Sequence, residues 1–172
     1  MNIGDLIKDK AIKPKEKTEQ ISNWLLDGTI DPKELIEFAS KGKDPVKATC
    51  IEAIEFASKQ KPAIADENVF LFVTNALTEK APRVKWESAK VVGNIAHLFP
   101  AKLDTAIANL LVNSEHEGTV VRWSAAYALG EILKLKTNQN KELLPAIEAI
   151  CEREEKNSIR KIYLTALKEL KK

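Results

Sequence analysis

The segments VKWESAKVVGNIA, beginning at Val84, and VRWSAAYALGEIL, beginning at Val121, hold a Trp and a Gly at matching places 37 residues apart. The match is one cut through a longer periodicity. Val46, Val84, Val121 and Ile159 fall in register at spacings of 38, 37 and 38, and each is followed by a basic residue: Lys47, Lys85, Arg122 and Arg160. Ala53-Ile54, Val91-Val92, Ala128-Leu129 and Ala166-Leu167 recur in the same phase. A second set lies between them, with Phe70, Ile107 and Leu144 spaced by 37 and Val73, Leu110 and Ile147 likewise. Each period therefore holds two helices, an A helix with the Val-basic signature and a B helix after it. A helical pair of this length cannot bury its apolar face alone. Such a chain folds by stacking, with a core that runs from one repeat to the next and end copies that deviate.

Turn signals agree with this division: Pro62, Pro82, Pro100, Gly118 and TNQN at 137–140 fall between the periodic segments. They predict helices over 44–60 paired with 65–80, 82–99 with 101–114, and 119–136 with 140–156. IEFASKGK from Ile36 and IEFASKQK from Ile54 lie 18 apart, half the period. The helix near 32–41 thus reads as the B helix of a degenerate first repeat, whose A helix runs from about Lys15 to Leu26. The chain reads as one domain, with a cap or tail over 1–13, repeats near 14–43, 44–81, 82–117 and 118–156, and a terminal half-repeat over 157–172.

The strings DPVK at Asp44 and VRWSAAYALG at Val121 resemble HEAT repeats, in particular the bacterial HEAT-like type also found in phycobilisome lyases. The resemblance spans roughly residues 14–172. It implies an all-α, right-handed α-α superhelix of four to five helical pairs, armadillo-like in outline, with the B helices on its concave side. Two departures stand out: the last repeat has only an A helix, and the Asp that often precedes Val-Arg is present only as Asp44.

On a helical wheel of the third A helix, Val84, Ser88, Val91, Val92, Ile95 and Phe99 form the core face. Lys47, Lys85, Arg122 and Arg160 sit at its flank, where a long stem packs on apolar surface and the charged head reaches a neighbouring turn. They are expected to form a structural ladder between repeats, which is also the role the resemblance implies; an anionic-ligand ladder is the competing reading. Trp86, Lys90, Gly93 and His97 fall away from the core centre, as do Trp123, Tyr127, Gly130 and Lys134 one repeat later. Trp86, Trp123 and Tyr127, with Lys90 and Lys134, are the candidate partner-binding stripe. Filling of the groove between adjacent A helices, with Gly93 and Gly130 permitting close approach, is the alternative for the two Trp. Asn75, Thr78, Asp104 and Asn109 are candidates for the groove lined by B helices.

Composition narrows the activity. The 27 basic and 25 acidic residues nearly cancel, and only four of the 27 are Arg, which argues against a nucleic-acid partner. No apolar run of signal or membrane-span length occurs. Cys50 and Cys151 lie in separate helical patterns and read as reduced core thiols of a cytoplasmic protein. His97 and His116 lack partners at metal-ligand spacing, and no phosphate loop or nucleophile elbow occurs, so no catalytic residue, cofactor or metal is expected. EHE at 115–117 and EREEK at 152–156 read as solvated loop and helix end. DNA glycosylases of the alkylation-repair type are also built on HEAT-like repeats, but one turn after Trp86 stands Lys90 and one turn after Trp123 stands Tyr127, not the carboxylate that chemistry needs. The expected function is a non-catalytic protein-interaction module or scaffold, with no small-molecule substrate and a protein partner of unspecified identity. The glycosylase, a lyase-type helper and a purely structural role are the alternatives.

Overall fold

The computed structural model describes all 172 residues and contains ten α-helices and no strand. In chain order these are α1 (Ile3–Lys8), α2 (Pro14–Asp27), α3 (Pro32–Lys41), α4 (Asp44–Gln60), α5 (Glu67–Ala76), α6 (Pro82–Ile95), α7 (Asp104–Asn113), α8 (Thr119–Lys134), α9 (Asn140–Arg153) and α10 (Asn157–Leu170). Their starts follow local chemistry. Pro14, Pro32 and Pro82 occupy the first helical position, where a missing N–H costs nothing. Asp31 accepts from the Lys33 N–H at 2.8 Å and Asp66 from the Val69 N–H at 3.0 Å, which satisfies donors the helices leave open. α2 ends at Gly28, whose φ of 81° is the left-handed cap only glycine adopts without strain.

The A helices α2, α4, α6, α8 and α10 lie side by side in chain order, each packed on the next. The B helices α3, α5 and α7 form a second row against them. Each B helix approaches the A helix that follows it more closely than the one that precedes it. The wheel of α6 is reproduced: Val84, Ser88, Val91, Val92 and Ile95 are buried, and half-buried Phe99 stacks on Phe70 with centroids 5.0 Å apart. One cluster of 41 buried apolar residues runs the length of the stack. It is therefore a single core, as a solenoid of stacked pairs requires. Ala48, Ala53, Ala89, Ala125, Ala126 and Ala128 are all buried, and these short side chains let A-helix backbones pack closely. Ile3 and Leu6 of α1 are buried, so α1 docks on the stack.

Several helix ends differ from the sequence expectation. α5 begins at Glu67 behind its Asp66 cap and stops at Ala76, inside the 65–80 window. α6 gives way after Ile95 to a short 3-10 turn, Ala96–Leu98. Pro100 disfavours helical geometry at Phe99, whose φ of −130° lies outside it, so the helix does not resume after the turn. Cys50 is fully buried, and that burial pushes its thiol up to about 12. Cys151 is only half-buried, so it is not the core thiol its helical pattern suggested; neither forms a disulfide. No helix is long and apolar enough to cross a membrane.

Candidate partner-binding face

The basic residue after each signature Val is engaged within the fold. Lys47 Nζ donates to Glu79 at 2.9 Å, just beyond the end of α5, and Lys85 Nζ donates to the Leu77 carbonyl at 3.2 Å. Arg122 makes a fork: Nε and Nη2 donate to the two carboxylate oxygens of Glu154 at 3.1 and 3.4 Å, while Nη1 donates to the His116 and Glu117 carbonyls at 3.1 and 2.9 Å. Arg160 donates to the Glu154 carbonyl through Nε at 3.0 Å and also through Nη2. Each head thus meets a turn that follows a B helix, where carbonyls lack helical donors. Glu154 is the correction here. EREEK reads as a solvated helix end, yet Glu154 is only 6% exposed, because Arg122 and Arg160 draw it inward from α8 and α10.

The outer side of the A helices carries a different network. Tyr127 of α8 lays its ring over Gly93 of α6 so closely that a Cβ there would sit 2.4 Å from the ring. Its hydroxyl donates to Asn94 Oδ1 at 2.5 Å, and Asn94 Nδ2 donates to the Glu55 carbonyl at 3.2 Å and to Ser58 Oγ at 3.1 Å. One hydrogen-bonded run therefore crosses α8, α6 and α4. Burial pushes the Tyr127 phenol up to about 12, with the charges of Glu131 and Glu55 adding to it. Tyr127 thus has an internal task that its outward register did not announce. Lys90 is likewise committed, to Glu87 at 3.2 Å, and Glu87 is itself buried with its second oxygen unpartnered. That burial raises the carboxyl of Glu87, against the pull of Lys90.

Trp123 remains open. It is 39% exposed and stacks on Tyr127 with centroids 6.2 Å apart and planes 11° from parallel, whereas Trp86 is half-buried. The two indoles share a register without sharing an exposure. Beside the Trp123–Tyr127 pair, a cleft of about 270 Å³ opens between α8 and α10, floored by Gly130, Ile162 and Ala166 and edged by Lys134 and Lys161. Lys134 is held by Glu131 at 2.8 Å and Glu169 at 3.7 Å. Burial alone would lower its pKa, but the bond to Glu131 and the charges of both carboxylates outweigh it, so the ammonium binds its proton more tightly than usual.

On the B side, Asn75, Thr78 and Asp104 are exposed. Thr78 donates back to the Asn75 carbonyl at 2.8 Å, and Asp104 accepts from Gln139. Asn109 does not stand free in a groove: its amide donates to the Thr74 carbonyl at 3.0 Å and clips α7 to α5, as Asn113 does to the Leu77 carbonyl at 3.1 Å. A polar cleft of about 490 Å³ at the ends of α7 and α9 gathers Glu115, His116, Arg122, Arg153 and Glu154. Its groups satisfy one another. His116 Nδ1 accepts the Gly118 N–H at 2.8 Å, and Arg153 pairs with Glu115 at 3.4 Å and donates to Ser114 Oγ at 3.0 Å. No cluster of three or more His, Cys, Asp or Glu is placed to hold a metal ion.

Asn94, Glu87 and Glu154 are the residues that sequence reasoning passed over. A signal existed for the first: Asn94 is a polar interruption inside the apolar run VVGNI, and a buried polar group needs a partner.

Against solved structures, the backbone matches a designed armadillo repeat protein in complex with the peptide (KR)4, with a TM-score of 0.75 at 15% identity over 98% of this chain and 80% of that one. It also matches the complex of CpcE and CpcF of phycocyanin lyase from a Nostoc species, with a TM-score of 0.71 at 19% identity over 96% and 97% of the two chains. The fold is an armadillo/HEAT-like helical-repeat solenoid. A designed armadillo protein for modular peptide recognition matches this solenoid too, at 15% identity and a TM-score of 0.75 over 97% of this chain and 80% of that one. No family model and no curated protein matches the sequence.

Proposed function

We propose that this solenoid is a non-catalytic protein-binding scaffold whose contact surface is the outer side of α8 and α10. The observation that carries the reading is Trp123, an exposed indole stacked on Tyr127, whose ring lines the cleft between α8 and α10. A pre-ordered aromatic beside a pocket is what interfaces use as an anchor, because little side-chain entropy remains to be lost on binding. The ladder cations and the polar cleft at the ends of α7 and α9 satisfy one another, so they offer structure and not a reactive centre. The peptide ligands of the designed armadillo neighbours are compatible with the reading.

The test compares affinity capture from the native cell by the parent and by Trp123→Ala. A partner retained by the parent and weakened by about 2 kcal/mol or more in the variant, with melting unchanged, is the expected outcome for an anchor residue. A captured partner that ignores Trp123→Ala removes this face from the proposal. Base excision on alkylated DNA gives a second check: release of a modified base, abolished by changing one acidic residue, replaces the scaffold reading with the glycosylase.

A further inference from the structure

Each internal A helix buries one face under the A helix that follows it, and no helix follows α10. Gly93 of α6 meets the Tyr127 ring of α8, and Gly130 of α8 meets Ala166 and Ile162 of α10, so the register of these glycines marks that forward face. One turn before it on the same face, Ile51, Ala89 and Ala126 are fully buried. One turn after it, so are Ser58, Ala96 and Leu133. In α10 the places of Ala126, Gly130 and Leu133 fall, each 38 residues on, to Leu164, Lys168 and Lys171. All three are exposed, Leu164 to 50%. The forward face of α10 is an open seat of the kind that α4, α6 and α8 each have covered.

We propose that this C-terminal edge, a surface separate from the Trp123 face, seats an acidic amphipathic helix of a partner protein, laid along α10 where a next A helix would lie. Leu164 gives the seat an apolar centre, and it is larger than the alanines at its register, whereas a plain polar cap has no use for it. The charge around it names the occupant. Lys161, Leu164, Lys168 and Lys171 recur at i, i+3, i+7 and i+10, one face of a helix, and none of the three lysines has a carboxylate within ion-pair distance. Glu169, the one acid of α10, is engaged with Lys134 of α8. Carboxylates on the occupant complement the lysines. The strip is one helix wide, because on α9 the register of Leu111 is taken by the exposed acid Glu148. A second copy of α10 does not suit it, since two such helices laid antiparallel set lysines against lysines.

The experiment is an NMR titration of the full-length ¹⁵N-labelled chain with two capped peptides. One has the α10 sequence NSIRKIYLTALKEL, and the other is NSIEEIYLTALEEL, with the same apolar side and every cation replaced by Glu. The acidic peptide should shift the amides of Leu164 and Lys168 and bind about tenfold tighter than the cationic one, a preference that shrinks in high salt. Leu164→Ser should weaken it about fivefold, the loss of part of one apolar side chain. Lys161→Glu with Lys168→Glu should reverse the preference between the peptides. All three positions are exposed, so the variants should melt like the parent. Trp123→Ala should leave the titration unchanged. Equal binding of the two peptides, a preference that survives the charge reversal, no shift at Leu164 and Lys168, or shifts centred on α8 would each overturn the seat. Loss of binding on Trp123→Ala would overturn it as well, by moving the peptide to the outer side. Shifts at Leu164 that grow with protein concentration alone would give the edge to a second copy and overturn it too. None of these outcomes touches the scaffold reading of the Trp123 face.

Discussion

Removing the Arg122 guanidinium should loosen the C-terminal third of the solenoid, and the cost can be worked from its four bonds. Arg122→Ala leaves Glu154 with only the Lys156 N–H at 3.1 Å on its carboxylate, and it strips two carbonyls at the end of α7 of their donor. Breaking a buried ion pair from one side costs about 3–5 kcal/mol, most of it the uncompensated charge left behind. The Glu154 side chain is 5% exposed but that of Arg122 is 22%, so water reaches one partner and the lower end applies. About 3 kcal/mol is expected, which for a chain of this size is a fall in Tm of about 6–12 °C. Arg122→Lys keeps the charge and loses the fork, and should cost less than half as much. Thermal unfolding by circular dichroism gives the total, and hydrogen exchange should place the loss in α8 to α10, since repeats in a solenoid couple chiefly to their neighbours. A double-mutant cycle with Glu154→Ala should show coupling above about 1 kcal/mol. The reasoning is refuted if Arg122→Ala melts like the parent, and above all if it does so while losing affinity for an anionic ligand.

Glu87→Gln should raise the Tm at pH 7. The folded carboxyl is raised by burial, so its contribution to stability is full below the unfolded value near 4.5 and is lost as pH climbs through the folded value; the gain from the variant should therefore vanish near pH 4, and a gain that is flat with pH would contradict the account. Tyr163 is buried with its hydroxyl unpartnered, and Tyr163→Phe should stabilise by about 0.5–1.5 kcal/mol in urea unfolding. Gly93→Ala should destabilise by about 1–3 kcal/mol, because the new methyl lies 2.4 Å from the Tyr127 ring, whereas Gly130→Ala should be neutral or stabilising. Equal melting shifts for the two glycine variants would contradict the difference between the ring pressed on Gly93 and the ordinary contacts around Gly130.

The solenoid was legible in the sequence because its information is periodic. The four signature positions at Val46, Val84, Val121 and Ile159 locate every A helix after the first, and the periodic segment that precedes Pro62 marks α4 at 44–60, the span observed. Helix ends were less legible where they depend on one residue's effect on its neighbour, as Pro100 acts on Phe99. The candidate face was half legible. Periodicity placed Trp123 and Tyr127 on one stripe, but whether a ring faces water or a neighbouring helix depends on the distance between backbones, which no single helix encodes. Gly93 and Gly130 share a register, yet the Tyr127 ring covers the first and the short side chain of Ala166 the second, and nothing local to either glycine says which. Glu154 was missed for the same kind of reason: in a run of five charged residues, nothing local says which one two arginines from other helices will claim.

The run of hydrogen bonds from Tyr127 through Asn94 to Glu55 and Ser58 gives the molecule an uneven stiffness. It rivets α4, α6 and α8 into a plate, while the polar link from Glu131 into α10 runs through half-exposed ion pairs, Lys134 to Glu131 at 2.8 Å and to Glu169 at 3.7 Å. Pulled from its C-terminus, the chain should yield first at that last seam, with α10 peeling from α8 at low force before the plate shears.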